Sequence, residues 1–150
     1  MEVLMAEVTA GSFDVSEPMG MDIGELRFSA SFRAPAGATL RVSAKFEGGW
    51  REVLRFDDFV EQPHFHVPAS ADATMVDREV TGAPLDFFIA QLRAHLHELL
   101  VQGGFAEILE TTDLDAVTNN VERIRQAMID VVPDGYARVP GVGLQRATPN

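Results

Sequence analysis

From Leu26 onward, apolar and polar residues alternate. Leu26, Phe28, Ala30 and Phe32 are interleaved with Arg27, Ser29, Ser31 and Arg33, the period of a strand with one buried face. After the turn-forming APAGA at Ala34–Ala38, the alternation resumes with Leu40, Val42, Ala44 and Phe46 between Thr39, Arg41, Ser43 and Lys45. Two such runs joined by a short turn predict a hairpin. EGGW at Glu47–Trp50 supplies the next turn, because glycine accepts positive φ at little steric cost. Trp50–Asp57 then reads as a third strand, and His64–Val67, after Pro63, as a short fourth. Upstream, Val3–Thr9 predicts another strand and Gly11–Gly24 a loop without clear period. Pro68–Ala83 reads as a polar connection with weak strand character over Met75–Val80.

The period changes at Pro84, which suits the first turn of a helix. Leu85, Phe88, Ile89, Leu92, Leu96, Leu99 and Leu100 form one stripe of helical spacing, and Gly103–Gly104 ends it. Phe105–Glu110 predicts a short helical turn. Thr112 can cap a second helix, with Asp113 and Asp115 in its first turn, where carboxylates oppose the positive end of the helix dipole. Leu114, Val117, Val121, Ile124, Met128 and Val131 step by three and four up to Pro133. Such a seam packs against the first helix or against a second copy of the chain, and it is too short for an independent coiled coil. The expectation is α+β: one domain over residues 1–132, an antiparallel meander of four to six strands followed by two C-terminal amphipathic helices packed on one sheet face. Residues 133–150, rich in Pro and Gly, read as a C-terminal tail.

Composition narrows the chemistry. The 150 residues include no cysteine, which removes disulfides, thiolate ligands and cysteine nucleophiles and leaves histidine, carboxylate and hydroxyl groups. The formal charge is −11, a mean field that repels phosphate backbones and anionic lipid, so nucleic-acid and membrane partners are not expected. Arg27, Arg33, Arg41, Lys45, Arg51 and Arg55 nevertheless fall within one strand-rich stretch, read as the solvated side of a sheet or a local basic strip. The start lacks a basic leader region and no apolar run is long enough to span a bilayer, so a cytoplasmic location is expected.

One segment looks chosen for chemistry: FDDFVEQPHFHV, Phe56–Val67. Alternation puts His64 and His66 on one face of their strand, about 6.5–7 Å apart at Cα, close enough for both imidazoles to meet one ion. Asp57, Asp58 or Glu61, returned by the turn at Pro63, completes a set of two histidines and one carboxylate suited to zinc, iron, manganese or nickel. The same groups can also act as acid and base without metal, or simply end a strand. His95 and His97 are two apart on a helix and so do not form a chelating pair. Phe87 falls on the polar side of the first helix and marks a candidate partner face.

The order strand, RFDD, short turn, PHFH, then an amphipathic helix resembles the small bacterial and archaeal proteins of the TumE toxin type. The match covers Arg55, Asp57, Asp58, His64 and His66, while Phe59, Val60, Glu61 and Gln62 replace the glycines typical of that turn. The resemblance implies a toxin-like protein acting on RNA with those residues at its site. Two classes therefore stand. The favoured one is a small acidic non-catalytic interaction or regulatory protein, binding a protein partner or a second copy through the Leu114/Val117/Val121/Ile124/Met128 seam or the Phe87 face. The alternative is a metal-dependent or acid/base hydrolase using the Asp57, Asp58, His64 and His66 cluster, with a divalent metal such as zinc as cofactor.

Overall fold

The alternating segments form the centre of one antiparallel sheet. A computed structural model describes residues 13–14 and 18–147; the strand expected over Val3–Thr9 lies outside them. Among the described residues the sheet has seven strands: β1 Phe13–Asp14, β2 Met19–Ile23, β3 Leu26–Ala34, β4 Gly37–Phe46, β5 Gly49–Phe59, β6 His64–His66 and β7 Thr74–Met75. β3 to β7 are neighbours in chain order, and β1 and β2 both pair with the other edge of β3. Then follow α1 Arg78–Thr81, α2 Pro84–Ala94, α3 Leu96–Gln102, a 3-10 turn Ala106–Glu110, α4 Leu114–Asp130, and a hairpin of β8 Tyr136–Val139 and β9 Gly143–Arg146.

The fold is α+β with an antiparallel sheet, but it is more elaborate than a meander with two helices and a tail. The apolar stripe from Leu85 to Leu100 is buried throughout, yet it is carried by two helices broken at His95. Periodicity locates the buried face of a helix and says nothing about where its axis turns. The loop expected over Gly11–Gly24 contains β1 and β2, and the weak strand at Met75–Val80 gives only Met75 to β7 before the chain enters α1, capped by the Asp77 side chain. The cap of α4 is Asp113, whose carboxylate accepts from the Ala116 N–H at 3.0 Å; Thr112 instead donates to the Ile108 carbonyl.

Leu26, Phe28, Ala30, Phe32, Ala38, Leu40, Val42, Leu54 and Phe56 line one sheet face and join one core with Phe88, Leu92, Leu100, Val121, Ile124 and Met128 of the helices. The Phe56 and Phe88 ring centroids are 5.2 Å apart. Full burial of side chains of this size contributes about 1.5–3 kcal/mol each, which makes this face the main source of stability. Ion pairs Arg93 to Glu122 and Arg125 to Asp86 tie α2 to α4 at the surface.

Residues 133–147 are part of the fold, contrary to the expected tail. Leu144 of β9 is fully buried, Gly143 approaches the ring of Pro84 so closely that a Cβ would lie 2.9 Å from it, and Arg138 of β8 reaches a carboxylate of β5. Two four-residue strands between glycines show too little alternation to stand out in a Gly/Pro-rich stretch. Arg78 buckles the same region down, donating to the carbonyls of Phe59, Val60 and Val142.

The β2–β3 turn shows how sheet and helices are joined. Gly24 and Glu25 both have positive φ, 62° and 70°, the signature of a two-residue type I′ hairpin turn. The Gly24 carbonyl accepts from the Asp113 N–H at 3.1 Å, and a Cβ on Gly24 would lie 2.3 Å from the Asp113 carbonyl oxygen. Gly24→Ala is therefore expected to push the start of α4 off the turn and to destabilise the protein by about 1–3 kcal/mol. Urea denaturation checks this; an unchanged midpoint would show that α4 does not need that seat.

A candidate metal centre on the sheet face away from the helices

Strand register builds the site. Thr39 lies opposite Asp57, Asp57 opposite His64, and Arg55 opposite His66. Because paired residues share a face, these side chains all project from the sheet face turned away from the helices. Asp57 is 1% exposed. Its Oδ1 accepts from the Thr39 hydroxyl at 2.9 Å, and its Oδ2 lies 2.8 Å from His64 Nε2 and 3.5 Å from His66 Nε2. The ligand atoms of Asp57, His64 and His66 all lie within 4.8 Å of one another.

The other nitrogen of each imidazole fixes its role. His64 Nδ1 is 2.7 Å from the Gln62 carbonyl oxygen, and His66 Nδ1 is 2.7 Å from that of Ala71. A carbonyl oxygen only accepts, so both Nδ1 atoms carry hydrogen and donate. In the neutral imidazoles the two Nε2 lone pairs then face a carboxylate oxygen that also only accepts. Three acceptors facing one another need a hydrogen or a metal ion between them: a proton on Nε2 or on the carboxyl, or a metal. A backbone carbonyl on Nδ1 and a lone pair on Nε2 is the usual arrangement of a metal-ligating histidine.

The local chain explains how each part is held. β5 carries a bulge: Val42 pairs with Leu54 but Ser43 pairs with Glu52, leaving Val53 as the extra residue. The Val53 carbonyl accepts from the Ala69 N–H at 2.9 Å, which seats the loop whose Ala71 carbonyl orients His66. Gln62, at φ 55°, turns the chain so that its carbonyl meets His64 two residues on. The Phe59 ring packs edge-on against His64 at 5.2 Å. The imidazoles keep 16% and 18% side-chain exposure, so the cluster is walled on the Asp57 side and reachable past the histidines.

Not every candidate joins the cluster. Asp58 faces the core side of the sheet, opposite Ala38, and pairs with Arg138 Nη1 at 2.5 Å. Successive strand residues point to opposite faces, so Asp57 and Asp58 cannot serve one ion. Burial raises the Asp58 carboxyl pKa, and the Arg138 guanidinium opposes that rise. Glu61 is exposed on the turn. His95 and His97 are exposed beside Glu98 and away from the cluster. Of the six basic residues in the strand-rich stretch, Arg51 lies opposite Ala44 and turns to the core side, its guanidinium over the Phe46 ring. Thr39, Val53 and the Gln62 and Ala71 carbonyls were missed by sequence reasoning, since each acts through register or backbone position.

The expected partner surfaces also change. Val117, Val121, Ile124 and Met128 are at most 1% exposed within the single chain. These four residues of the seam are spent on the chain's own core, while Leu114 at its start is partly buried. Phe87 is half-buried among Phe65 and Phe88. A cavity of about 210 Å³ lies between the start of α2, the end of α4 and the C-terminal hairpin, with Arg138 in its wall; it is on the helix side of the sheet, away from the histidines.

Residues 20–128 match the model of a family described as a domain of unknown function, DUF7700. The chain belongs to the DUF7700 family. No curated protein and no solved structure matches it. The matched span contains Thr39, Asp57, His64 and His66, while Arg138 and the C-terminal hairpin lie beyond it. Among the described residues of this DUF7700 protein, no helix is long and apolar enough to cross a membrane.

Proposed function

We propose that the protein is a metal-dependent hydrolase centred on Asp57, His64 and His66. The observation that carries the reading is the convergence of two imidazole Nε2 atoms, each with its Nδ1 held by a backbone carbonyl, on one carboxylate oxygen. Ligand atoms of a tetrahedral site built at about 2.0–2.1 Å lie about 3.3–3.4 Å apart; the two imidazole-to-carboxylate separations are 2.8 and 3.5 Å, and all three ligand atoms lie within 4.8 Å of one another. Zinc is the first choice among the divalent metals that such a ligand set suits, and three protein ligands leave a position for water. Bound there, the metal would supply a Lewis acid that makes water a nucleophile near neutral pH. The chain's own part is to hold three ligands in place, with Thr39 presenting Asp57 through Oδ2. The reading is preferred to a non-catalytic interaction protein because it accounts for this convergence, and because the seam that the interaction reading relied on is buried.

The test uses chelator-treated full-length protein titrated with zinc, followed by calorimetry and thermal melting. A single saturable site is expected, with stabilisation of about 2.7 kcal/mol once free metal reaches a hundredfold excess over Kd. Asp57→Asn and His66→Ala are each expected to weaken binding by about tenfold or more while the metal-free proteins still fold. Hydrolysis of a chromogenic ester panel should then depend on the added metal. Absence of saturable binding to the wild-type chain would refute the metal centre; tight binding without hydrolysis would refute the enzyme reading alone.

A further inference from the structure

The cavity between α2, α4 and the C-terminal hairpin has no part in the metal centre. Its volume is about 210 Å³, and an apolar cavity of about 150 Å³ already binds benzene. Among its lining residues Leu85 and Gly143 are buried, while Ile129, Val139 and Pro140 are exposed, which gives it an apolar floor and an apolar mouth. Its walls come from three distant segments, and contacts between those segments fix its shape. Gly143 holds the hairpin against the first turn of α2, since a Cβ there would lie 2.9 Å from the Pro84 ring. Arg78 Nε donates to the Val142 carbonyl at 2.9 Å and anchors the hairpin turn. The cavity is therefore formed before any ligand arrives, as small-molecule sites usually are.

Charged side chains also line it, and each already has a partner. Arg125 pairs with Asp86, itself in the wall, and with Glu122 at 3.0 Å. Arg138 gives Nη1 to Asp58 at 2.5 Å and Nη2 to the Met128 carbonyl at 3.1 Å. A charged ligand would leave water only to share a guanidinium or a carboxylate that is already engaged, which is costly. An uncharged ligand meets no such cost. It gains by removing its own apolar surface, and that of Leu85, Ile129 and Val139, from water.

We propose that this cavity is a second binding site, independent of the metal centre, for an uncharged and mainly apolar small molecule of about one-ring size. Isotope-labelled full-length protein is titrated with benzyl alcohol, benzoate and benzylamine, which share a ring and differ in charge, while the amide signals are followed by NMR. Benzyl alcohol is expected to shift the signals of Leu85, Asp86 and Val139 saturably and to leave those of His64 and His66 in place. It is also expected to bind about tenfold or more tightly than either charged probe. Ile129 and Val139 are 38% and 42% exposed, so Ile129→Asp and Val139→Asp should still fold. Each places a carboxylate at the mouth and is expected to weaken benzyl alcohol by about tenfold. Absence of saturable shifts in the cavity wall, equally tight binding of a charged probe, or unchanged binding by either variant would each overturn the assignment. If no probe binds and sedimentation velocity shows self-association that both variants abolish, the mouth is a contact between copies and the ligand site falls.

Discussion

Arg138→Met is expected to destabilise the protein by about 3–5 kcal/mol, because it strands a buried carboxylate. Asp58 is fully buried on the core side of β5, and Arg138 Nη1, 2.5 Å from Oδ2, is its charged partner; Asp58 Oδ1 has no hydrogen-bond partner. Burial already raises the Asp58 carboxyl pKa, and the guanidinium is the main influence opposing it. Without Arg138, either the carboxyl takes up a proton or the hairpin of β8 and β9 opens to admit water. Both routes lower stability, and a loss of this size is a large part of the 5–15 kcal/mol typical of a domain. Arg138 Nη2 also donates to the Met128 carbonyl at 3.1 Å, so the variant loosens the end of α4 as well. The double variant Asp58→Leu with Arg138→Met should recover most of the loss, since well-packed apolar side chains replace a buried ion pair at little cost. Urea denaturation of both variants decides the matter. A single variant within about 0.5 kcal/mol of the wild type, the range of ordinary surface substitutions, would show that the hairpin does not clamp the sheet.

The second large effect is expected at Ile124. Ile124→Asp places an ionisable group where the side chain is fully buried, in one core with Val121, Met128 and the apolar sheet face. The expected cost is about 4 kcal/mol or more, enough to unfold a marginal domain. Ile129, on the same helix but 38% exposed, is the internal control: Ile129→Asp should change stability by about 0.5 kcal/mol or less. Circular dichroism melts paired with sedimentation velocity separate the two meanings of the seam. Loss of the folded signal places it inside the chain. A variant that melts normally but no longer self-associates would place it between copies and contradict the burial described above.

Much of this architecture follows from local pattern. The strands at Leu26–Ala34 and Gly37–Phe46 were legible because their period of two is unbroken, and both helical stripes because seven and six apolar residues keep one face. The His64/His66 pair was legible for the same reason, since residues two apart on a strand must share a face. That period also forbids Asp57 and Asp58 from joining the same ion, a conclusion available from sequence that the cluster of four candidates overlooked. The hairpin at 136–146 was not legible. Its strands are four residues long, and what holds them is one leucine, one glycine approach and one arginine reaching eighty positions back along the chain to Asp58.

By itself, the sequence determined the alternation, the helical stripes, the absence of thiol chemistry and the placing of two histidines on one strand face. Which aspartate meets them was decided by tertiary structure. Counting back from the Glu47–Trp50 turn, an unbroken ladder would set Phe56 opposite Thr39 and Asp57 opposite Ala38, on the core side. The extra residue Val53 shifts the register by one, so that Asp57 meets Thr39 on the face away from the helices and Asp58 turns to the core side and Arg138. A bulge inverts the facing of every later residue in its strand. It is fixed by the packing of Val53 and Leu54, both fully buried, and by the loop hydrogen bond from Ala69 to the Val53 carbonyl. Neither contact is written in the local pattern, because both form only when distant segments meet.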